Sequence, residues 1–263
     1  MDQTLIAIVP AAGIGARAAA VDGVPKQYRR IAGEAVLRRT VRALLSEPRV
    51  QQVRVAVSTQ DVWVDQALAG LPRTVWRACG GPTRADTVHA ALRDAALPPE
   101  AWVMVHDAAR PGLPAEALSR LINACWAHGR GGVLAMPVSD TVKCAARNAG
   151  EATAPGVVDG TACAAYAGTP ATVATTLDRD LLWLAQTPQM FRAGELLAAL
   201  AASAGDARVT DEASAMELAA CAPLLVRGAH SNMKLTWPED FEWLDAWFAR
   251  TPSAGRVQEG DKK

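Results

Sequence analysis

The sequence predicts an α/β fold, a mostly parallel sheet with helices on both faces. Three observations carry that expectation. Short strand-like runs alternate with helix-spaced runs through the first half of the chain, the pattern of repeated strand–helix units. Leu5-Ile6-Ala7-Ile8-Val9 and Trp102-Val103-Met104-Val105 are continuously apolar, as strands covered on both faces must be. At 263 residues, half of them hydrophobic, the chain can bury the core that such a sheet needs.

The elements follow in order. Leu5 to Val9 is the first strand, and a glycine-containing loop from Ala11 follows it. Val36 to Leu45 carries helical spacing, Val53, Val55 and Val57 alternate as a second strand, and Thr74 to Arg77 makes a third. After Gly80-Gly81-Pro82-Thr83-Arg84, the residues Val88, Ala91, Leu92 and Ala95 mark a helix. The strand Trp102 to Val105 ends in His106-Asp107-Ala108-Ala109-Arg110-Pro111, and Leu118, Leu121, Ile122 and Cys125 mark the next helix. Gly131 to Val138 reads as a strand. Later come Leu181 to Ala185, a turn at Gln186-Thr187-Pro188-Gln189, and a helix through Leu196 to Leu200. Thr210-Asp211-Glu212 opens a helix with the stripe Ala213, Met216 and Ala220. A strand at Leu224 to Val226 and a helix from Glu239 to Arg250, with Phe241, Leu244 and Phe248 on one face, close the pattern.

Residues 144–176 are rich in Ala, Gly and Thr without a helical stripe, which suits an extended arm or hairpin, about 139–178, packed on a second subunit. The expected organisation is one domain over 1–250 and a disordered tail over 251–263. The 27 basic and 27 acidic residues balance, so no nucleic acid or anionic membrane attracts the molecule as a whole. Five scattered cysteines have neither disulfide-framework nor zinc spacing. With no signal or membrane segment at the N-terminus, a reduced cytoplasmic setting is expected.

The chemistry concentrates at Ala11-Ala12-Gly13-Ile14-Gly15-Ala16-Arg17 and at Pro25-Lys26-Gln27-Tyr28. Small residues after a buried strand let backbone N–H groups approach an anion, and Arg17 and Lys26 add positive charge. Taken singly, either cation reads as an ordinary surface charge. Gly13-x-Gly15-x-x-Ala18 satisfies a dinucleotide fingerprint, but Pro25 breaks the helix that reading needs and no acid ends the second strand. No P-loop motif occurs. Two cations beside a phosphate loop suit phosphoryl or nucleotidyl transfer, where charge builds on the phosphorus oxygens and the departing pyrophosphate.

These residues resemble the opening of the 2-C-methyl-D-erythritol 4-phosphate cytidylyltransferases of the non-mevalonate isoprenoid pathway. The resemblance continues in order over nearly the whole chain: Gly80-Gly81 with Arg84-Ala85-Asp86, His106 to Pro111, Asp140-Thr141-Val142-Lys143, Gln186 to Gln189, Thr210 to Ser214, and Asn232 to Thr236 with Pro238-Glu239-Asp240. It implies a Rossmann-like fold of the nucleotide-diphospho-sugar transferase type, with a projecting β-arm for homodimerisation.

The resemblance also implies roles. Ala11, Ala12, Gly13, Gly15, Gly81, Arg84, Thr87, Asp107 and Ala108 would hold CTP, with backbone groups near Gly80 and Gly81 reading the base. Arg17 and Lys26 would stabilise the pentavalent phosphorus. Arg110, Arg179 and Lys234 would take the phosphate of the second substrate, helped by Asp107 and by hydroxyls of Thr141, Thr187 and Thr210. Mg²⁺ would sit near Asp107. The competing structural readings are a helix N-cap for Asp107, a salt bridge to Asp178 or Asp180 for Arg179, and capping for Thr210. The nucleophile is already a phosphate anion, so no general base is needed and the four histidines receive no catalytic role. Thr87 stands where many relatives have Ser, Pro82 replaces a commonly polar position, and residues 144–176 exceed the family's segment. A ribitol 5-phosphate cytidylyltransferase and a non-catalytic nucleotide-binding protein are the alternatives.

Overall fold

The computed structural model describes residues 3–13, 23–146 and 171–250. Gly15, Arg17, the middle of the expected arm and the expected tail lie outside the described residues. Eleven strands are described: β1 (Leu5–Pro10), β2 (Arg30–Ile31), β3 (Glu34–Ala35), β4 (Gln52–Ala56), β5 (Thr74–Arg77), β6 (Trp102–Val105), β7 (Gly132–Pro137), β8 (Val142–Ala145), β9 (Val173–Leu177), β10 (Trp183–Arg192) and β11 (Leu224–Arg227). The described helices are α1 (Val36–Leu45), α2 (Val64–Leu68), α3 (Arg84–Ala95), α4 (Ala115–His128), α5 (Ala193–Ala202), α6 (Glu212–Leu218) and α7 (Pro238–Arg250).

A seven-stranded sheet in the order β11-β7-β10-β6-β1-β4-β5 forms the frame. β10 alone runs antiparallel to its neighbours β6 and β7; the other adjacent pairs are parallel. Side chains alternate across the central strands, as the two-residue strand period requires. Leu5, Ala7, Val9, Trp102 and Met104 pack with Leu37, Val41, Leu118 and Ile122 of α1 and α4 on one face. Ile8, Val103 and Val105 pack with Val88, Leu92, Leu196 and Leu200 of α3 and α5 on the other. The continuous apolar runs are thus explained by a sheet buried on both sides. A smaller cluster seats α7 through Phe241 and Leu244 against Ile31, Val36 and Leu235.

The strand order places the site. From β1 the chain moves outward to β4 and β5, then returns to β6 on β1's other side. Connections leaving the carboxyl ends of β1 and β6 therefore part in opposite directions and open a crevice, where open α/β sheets bind ligands.

Three local expectations are corrected. Gln186 to Gln189 is no turn: β10 runs through it, with a bulge between Ala185 and Gln189 that accommodates Pro188, which has no N–H to give the ladder. The Thr187–Pro188 peptide is cis. The helix expected to open at Thr210 is capped by Asp211, whose carboxylate accepts from the Ser214 N–H in a reciprocal capping box. That helix ends at Leu218, so Ala220 lies beyond it, exposed, at φ 60°. At the expected arm, β8 and β9 pair antiparallel with every β9 residue exposed.

Candidate functional site

At the crevice, a cavity of about 370 Å³ is bounded by Ala11, Ala12 and Gly13 after β1, by Gly81 and the start of α3, and by Asp107 and Ala108 after β6. Lys26 and Lys234 also line it. Each wall has a local cause. The buried Gln27 side chain donates to the carbonyls of Ala11 at 2.9 Å and Gly13 at 3.1 Å, which ties up two oxygens that would repel a phosphate. Gly80 and Gly81 are required by crowding. A Cβ on Gly80 would come within 2.3 Å of the Ala12 Cβ, and one on Gly81 within 2.5 Å of the Asp86 Cβ. The Thr87 hydroxyl accepts from the Gly81 N–H at 3.0 Å and donates to the Thr83 carbonyl at 2.9 Å, so its OH fixes the glycine turn. Thr83 caps α3 in a capping box with Asp86, which brings the positive end of that helix to the cavity.

Asp107 is the electrostatic centre. Its Oδ1 lies 2.9 Å from Arg84 Nε and its Oδ2 2.8 Å from Lys234 Nζ, with Arg110 Nε at 3.8 Å. Burial opposes the ionised carboxylate, but Arg84, Lys234 and Arg110 together hold its pKa well below the ordinary value. Arg84 also forms a two-pronged bridge with Glu212, NH1–Oε1 at 2.7 Å and NH2–Oε2 at 2.9 Å. Glu212 is completely buried, and burial raises its carboxyl pKa against the pull of Arg84. Lys234 is aimed by its neighbour: Leu235 is fully buried, its N–H donates to the Ala109 carbonyl at 2.9 Å, and its own carbonyl accepts from Lys26 Nζ at 3.1 Å.

The cavity brings together Ala11, Ala12, Gly13, Lys26, Gly81, Arg84, Thr87, Asp107, Ala108 and Lys234, all named from sequence. Other expected residues do not line it. Arg110 is 9% exposed and donates to the Asn232 carbonyl at 2.7 Å. Thr187 is 4% exposed, with its hydroxyl bound inside the protein. Thr141 and Arg179 are exposed at the root of the arm, and Arg179 donates to the Ser139 carbonyl instead of pairing with Asp178 or Asp180. Thr210 is exposed beside a second hollow of about 320 Å³, between the start of α3 and residues 203–209. Asp107 caps no helix, because α4 begins at Ala115 after Pro114.

Sequence reasoning passed over Gln27, His106, Gln186, Glu212 and Asn232, all buried polar residues. His106 is wholly buried, and desolvation pushes its pKa down to about 4, so the ring is neutral. The one available signal was that each of the five lies inside a motif block already singled out for its neighbours.

Comparison with known proteins agrees with this fold. The family model described as "IspD: 2-C-methyl-D-erythritol 4-phosphate cytidylyltransferase" matches residues 5–161 and 146–250. A protein of Bordetella pertussis named 2-C-methyl-D-erythritol 4-phosphate cytidylyltransferase is 58% identical over 250 residues, covering 94% of this chain and 100% of that protein. A crystal structure of a 4-diphosphocytidyl-2C-methyl-D-erythritol synthase superposes with a TM-score of 0.74 at 34% identity, covering 94% of this chain and 99% of the other. The crystal structure of the Francisella tularensis 2-C-methyl-D-erythritol 4-phosphate cytidylyltransferase gives a TM-score of 0.72 at 30% identity over 92% of this chain and 99% of its own. With the fold, the cation-lined crevice and matches along nearly the whole chain in agreement, this protein belongs to the IspD family of 2-C-methyl-D-erythritol 4-phosphate cytidylyltransferases.

Proposed function

We propose that this protein transfers CMP from CTP to 2-C-methyl-D-erythritol 4-phosphate, releasing pyrophosphate. The observation that carries the reading is the cavity at the sheet's switch point, lined by Lys26, Arg84 and Lys234, with Arg84 and Lys234 paired to Asp107, the one carboxylate among its described lining residues. A phosphate oxygen of the polyol phosphate attacks the α-phosphorus of CTP. The new P–O bond forms as the bond from the α-phosphorus to the α,β-bridging oxygen breaks, and the electron pair leaves with pyrophosphate. No proton need be removed from the nucleophile, so the protein's work is positioning and charge stabilisation. Ala11 to Gly13, Gly81, Thr87 and Ala108 line the side we assign to the nucleotide, and Lys26 lines the same cavity, where its charge meets that developing on the α-phosphate. Gly15 and Arg17, outside the described residues, are assigned to the same tasks by the family resemblance alone. Lys234 and Arg110 act on the second substrate's side, with Arg110 working through Asp107 from its buried position.

Magnesium belongs to this reading as an ion carried on the triphosphate. Asp107 is the sole carboxylate among the described residues lining the cavity, and the described residues contain no cluster of three His, Cys, Asp or Glu side chains able to cage a metal. One carboxylate together with phosphate oxygens and water is an ordinary magnesium environment. The ion would offset triphosphate charge, with Asp107 as its protein ligand.

Homodimerisation through the arm completes the reading and explains why Thr141 and Arg179 stand exposed: they serve the partner's cavity, as does the exposed Thr210 hydroxyl its own. Supporting it, Leu181 is 91%, Leu184 63%, Val173 60% and Leu177 43% exposed, a run of apolar surface around the arm's root that a second subunit would cover. A Leu181→Asp/Leu184→Asp variant is expected to sediment as a monomer where the parent sediments as a dimer, and to lose at least about tenfold in activity with the trans-acting Arg179. A monomeric parent would remove the arm from the reading. We place the enzyme in the cytoplasm, supported by the free thiols of Cys79, Cys125, Cys144 and Cys221; no described helix is long and apolar enough to cross a membrane.

The reading is tested by pyrophosphate release with CTP and each polyol phosphate in turn. Turnover with 2-C-methyl-D-erythritol 4-phosphate and little with ribitol 5-phosphate is expected; the reverse preference would overturn the assignment.

A further inference from the structure

Behind Asp107 lies a hydrogen-bond chain in which each proton has one workable place. The Arg110 carbonyl stands 3.1 Å from His106 Nε2 and can only accept, so Nε2 carries the ring's proton. With Nε2–H committed to the Arg110 carbonyl in a fully buried site, Nδ1 is left as the ring's acceptor. Thr187 Oγ1 is 2.9 Å from Nδ1, so the threonine donates its hydroxyl proton there. The Asp107 N–H, 2.9 Å from the same oxygen, donates to Thr187. One threonine hydroxyl thereby gives its only proton to His106 and accepts from the Asp107 backbone.

The threonine is itself fixed from the other side. Asn232 Nδ2 donates to the Thr187 carbonyl at 2.7 Å and to Gln186 Oε1 at 3.1 Å, and Gln186 Nε2 donates to the Ala229 carbonyl at 2.9 Å. The bulge of β10 is thus pinned at both its backbone and its side chain, and β10 is the antiparallel strand bordering β6, from which Asp107 emerges.

We infer that Thr187 and His106 are positioning residues which hold Asp107 where Arg84 and Lys234 converge on it, and that the Thr187 hydroxyl does not bind the second substrate. The inference rests on the cytidylyltransferase reading only for its kinetic arm. Losing the hydroxyl leaves the Asp107 N–H without its acceptor and frees the loop that both substrates share, so the damage falls on turnover.

The expected result for Thr187→Val is a drop in kcat of about 30-fold, with KM for CTP and for 2-C-methyl-D-erythritol 4-phosphate each within about threefold of the parent. Thr187→Ser, which keeps the hydroxyl, restores kcat to within about threefold. His106→Asn keeps an acceptor near the Nδ1 position and is expected to be milder than His106→Gln, which does not. A Thr187→Val enzyme with parental kcat and a raised KM for the polyol phosphate alone would overturn the inference. Should the valine variant fail to fold, nitrogen-15 NMR of the unmodified protein decides: His106 is expected as the Nε2–H tautomer, and an Nδ1–H tautomer would overturn the chain. The spectrum needs no substrate, so a failure of the assigned activity and a failure of this inference are told apart.

Discussion

Arg84→Ala is expected to lower stability by about 3 kcal/mol and to abolish measurable turnover. For a chain of this size that is a fall of about 6–12 °C in Tm. The loss comes from what the arginine leaves behind. Glu212 has no exposed surface, and the Arg84 guanidinium covers both of its oxygens. Without it a carboxylate stays buried and unpaired, which costs more than an ion pair of this kind contributes when intact. Asp107 loses its 2.9 Å partner as well, but keeps Lys234 at 2.8 Å, so the stability deficit belongs mainly to Glu212.

The pH dependence of this variant carries a definite sign. Burial already raises the Glu212 pKa, and Arg84 supplies the main opposing pull. Removing the arginine therefore drives the folded-state value further above the unfolded one. A carboxyl with that offset carries stability that is present below its unfolded pKa and is lost as pH rises through its folded pKa. The deficit of Arg84→Ala relative to the parent is expected to be smallest at about pH 5 and to grow toward about pH 8. Adding Glu212→Gln, which removes the charge while keeping the shape, should recover part of the lost Tm at the higher pH. Melting curves that match the parent at both pH values would show that the Glu212–Arg84 bridge holds nothing in place.

The same pair shows where reading the sequence stops. Periodicity located α1 at Val36–Leu45 and strands such as Thr74–Arg77 and Trp102–Val105, because in each the buried face is written into consecutive residues. The Gln186–Gln189 segment carries a proline and polar side chains, a local signature of a turn. Its strand character comes from flanking partners on β6 and β7, which no window around it contains. Glu212 lies 128 residues from Arg84, and Thr187 80 residues from Asp107. A buried polar residue looks like any surface one until its partner is in place, so the cavity's lining was legible while the residues holding that lining were not. Arg110 shows the converse: its motif pointed to a substrate cation, and the fold buries it beneath the loop, against the Asn232 carbonyl.

Lys26→Ala is expected to reduce kcat by about 10²–10³ while CTP affinity changes by less than about tenfold. Lys26 opens a single 3₁₀ turn whose next two residues, Gln27 and Tyr28, are buried. The backbone there is fixed by residues other than the lysine, and Gln27 goes on holding the Ala11 and Gly13 carbonyls when the lysine is gone. The variant should therefore fold normally and keep most contacts to the nucleotide. What it loses is a positive charge on the cavity wall, together with the 3.1 Å hydrogen bond from its Nζ to the Leu235 carbonyl. A charge of that kind counts most when the α-phosphorus becomes pentavalent, so the loss should appear in kcat and kcat/KM together. Lys26→Arg should recover only part of it, because a planar guanidinium does not place a compact charge at the same point. Equal losses in CTP affinity and in kcat/KM, with kcat unchanged, would instead make Lys26 a ground-state ligand. Turnover within about threefold of the parent would make it one more surface cation.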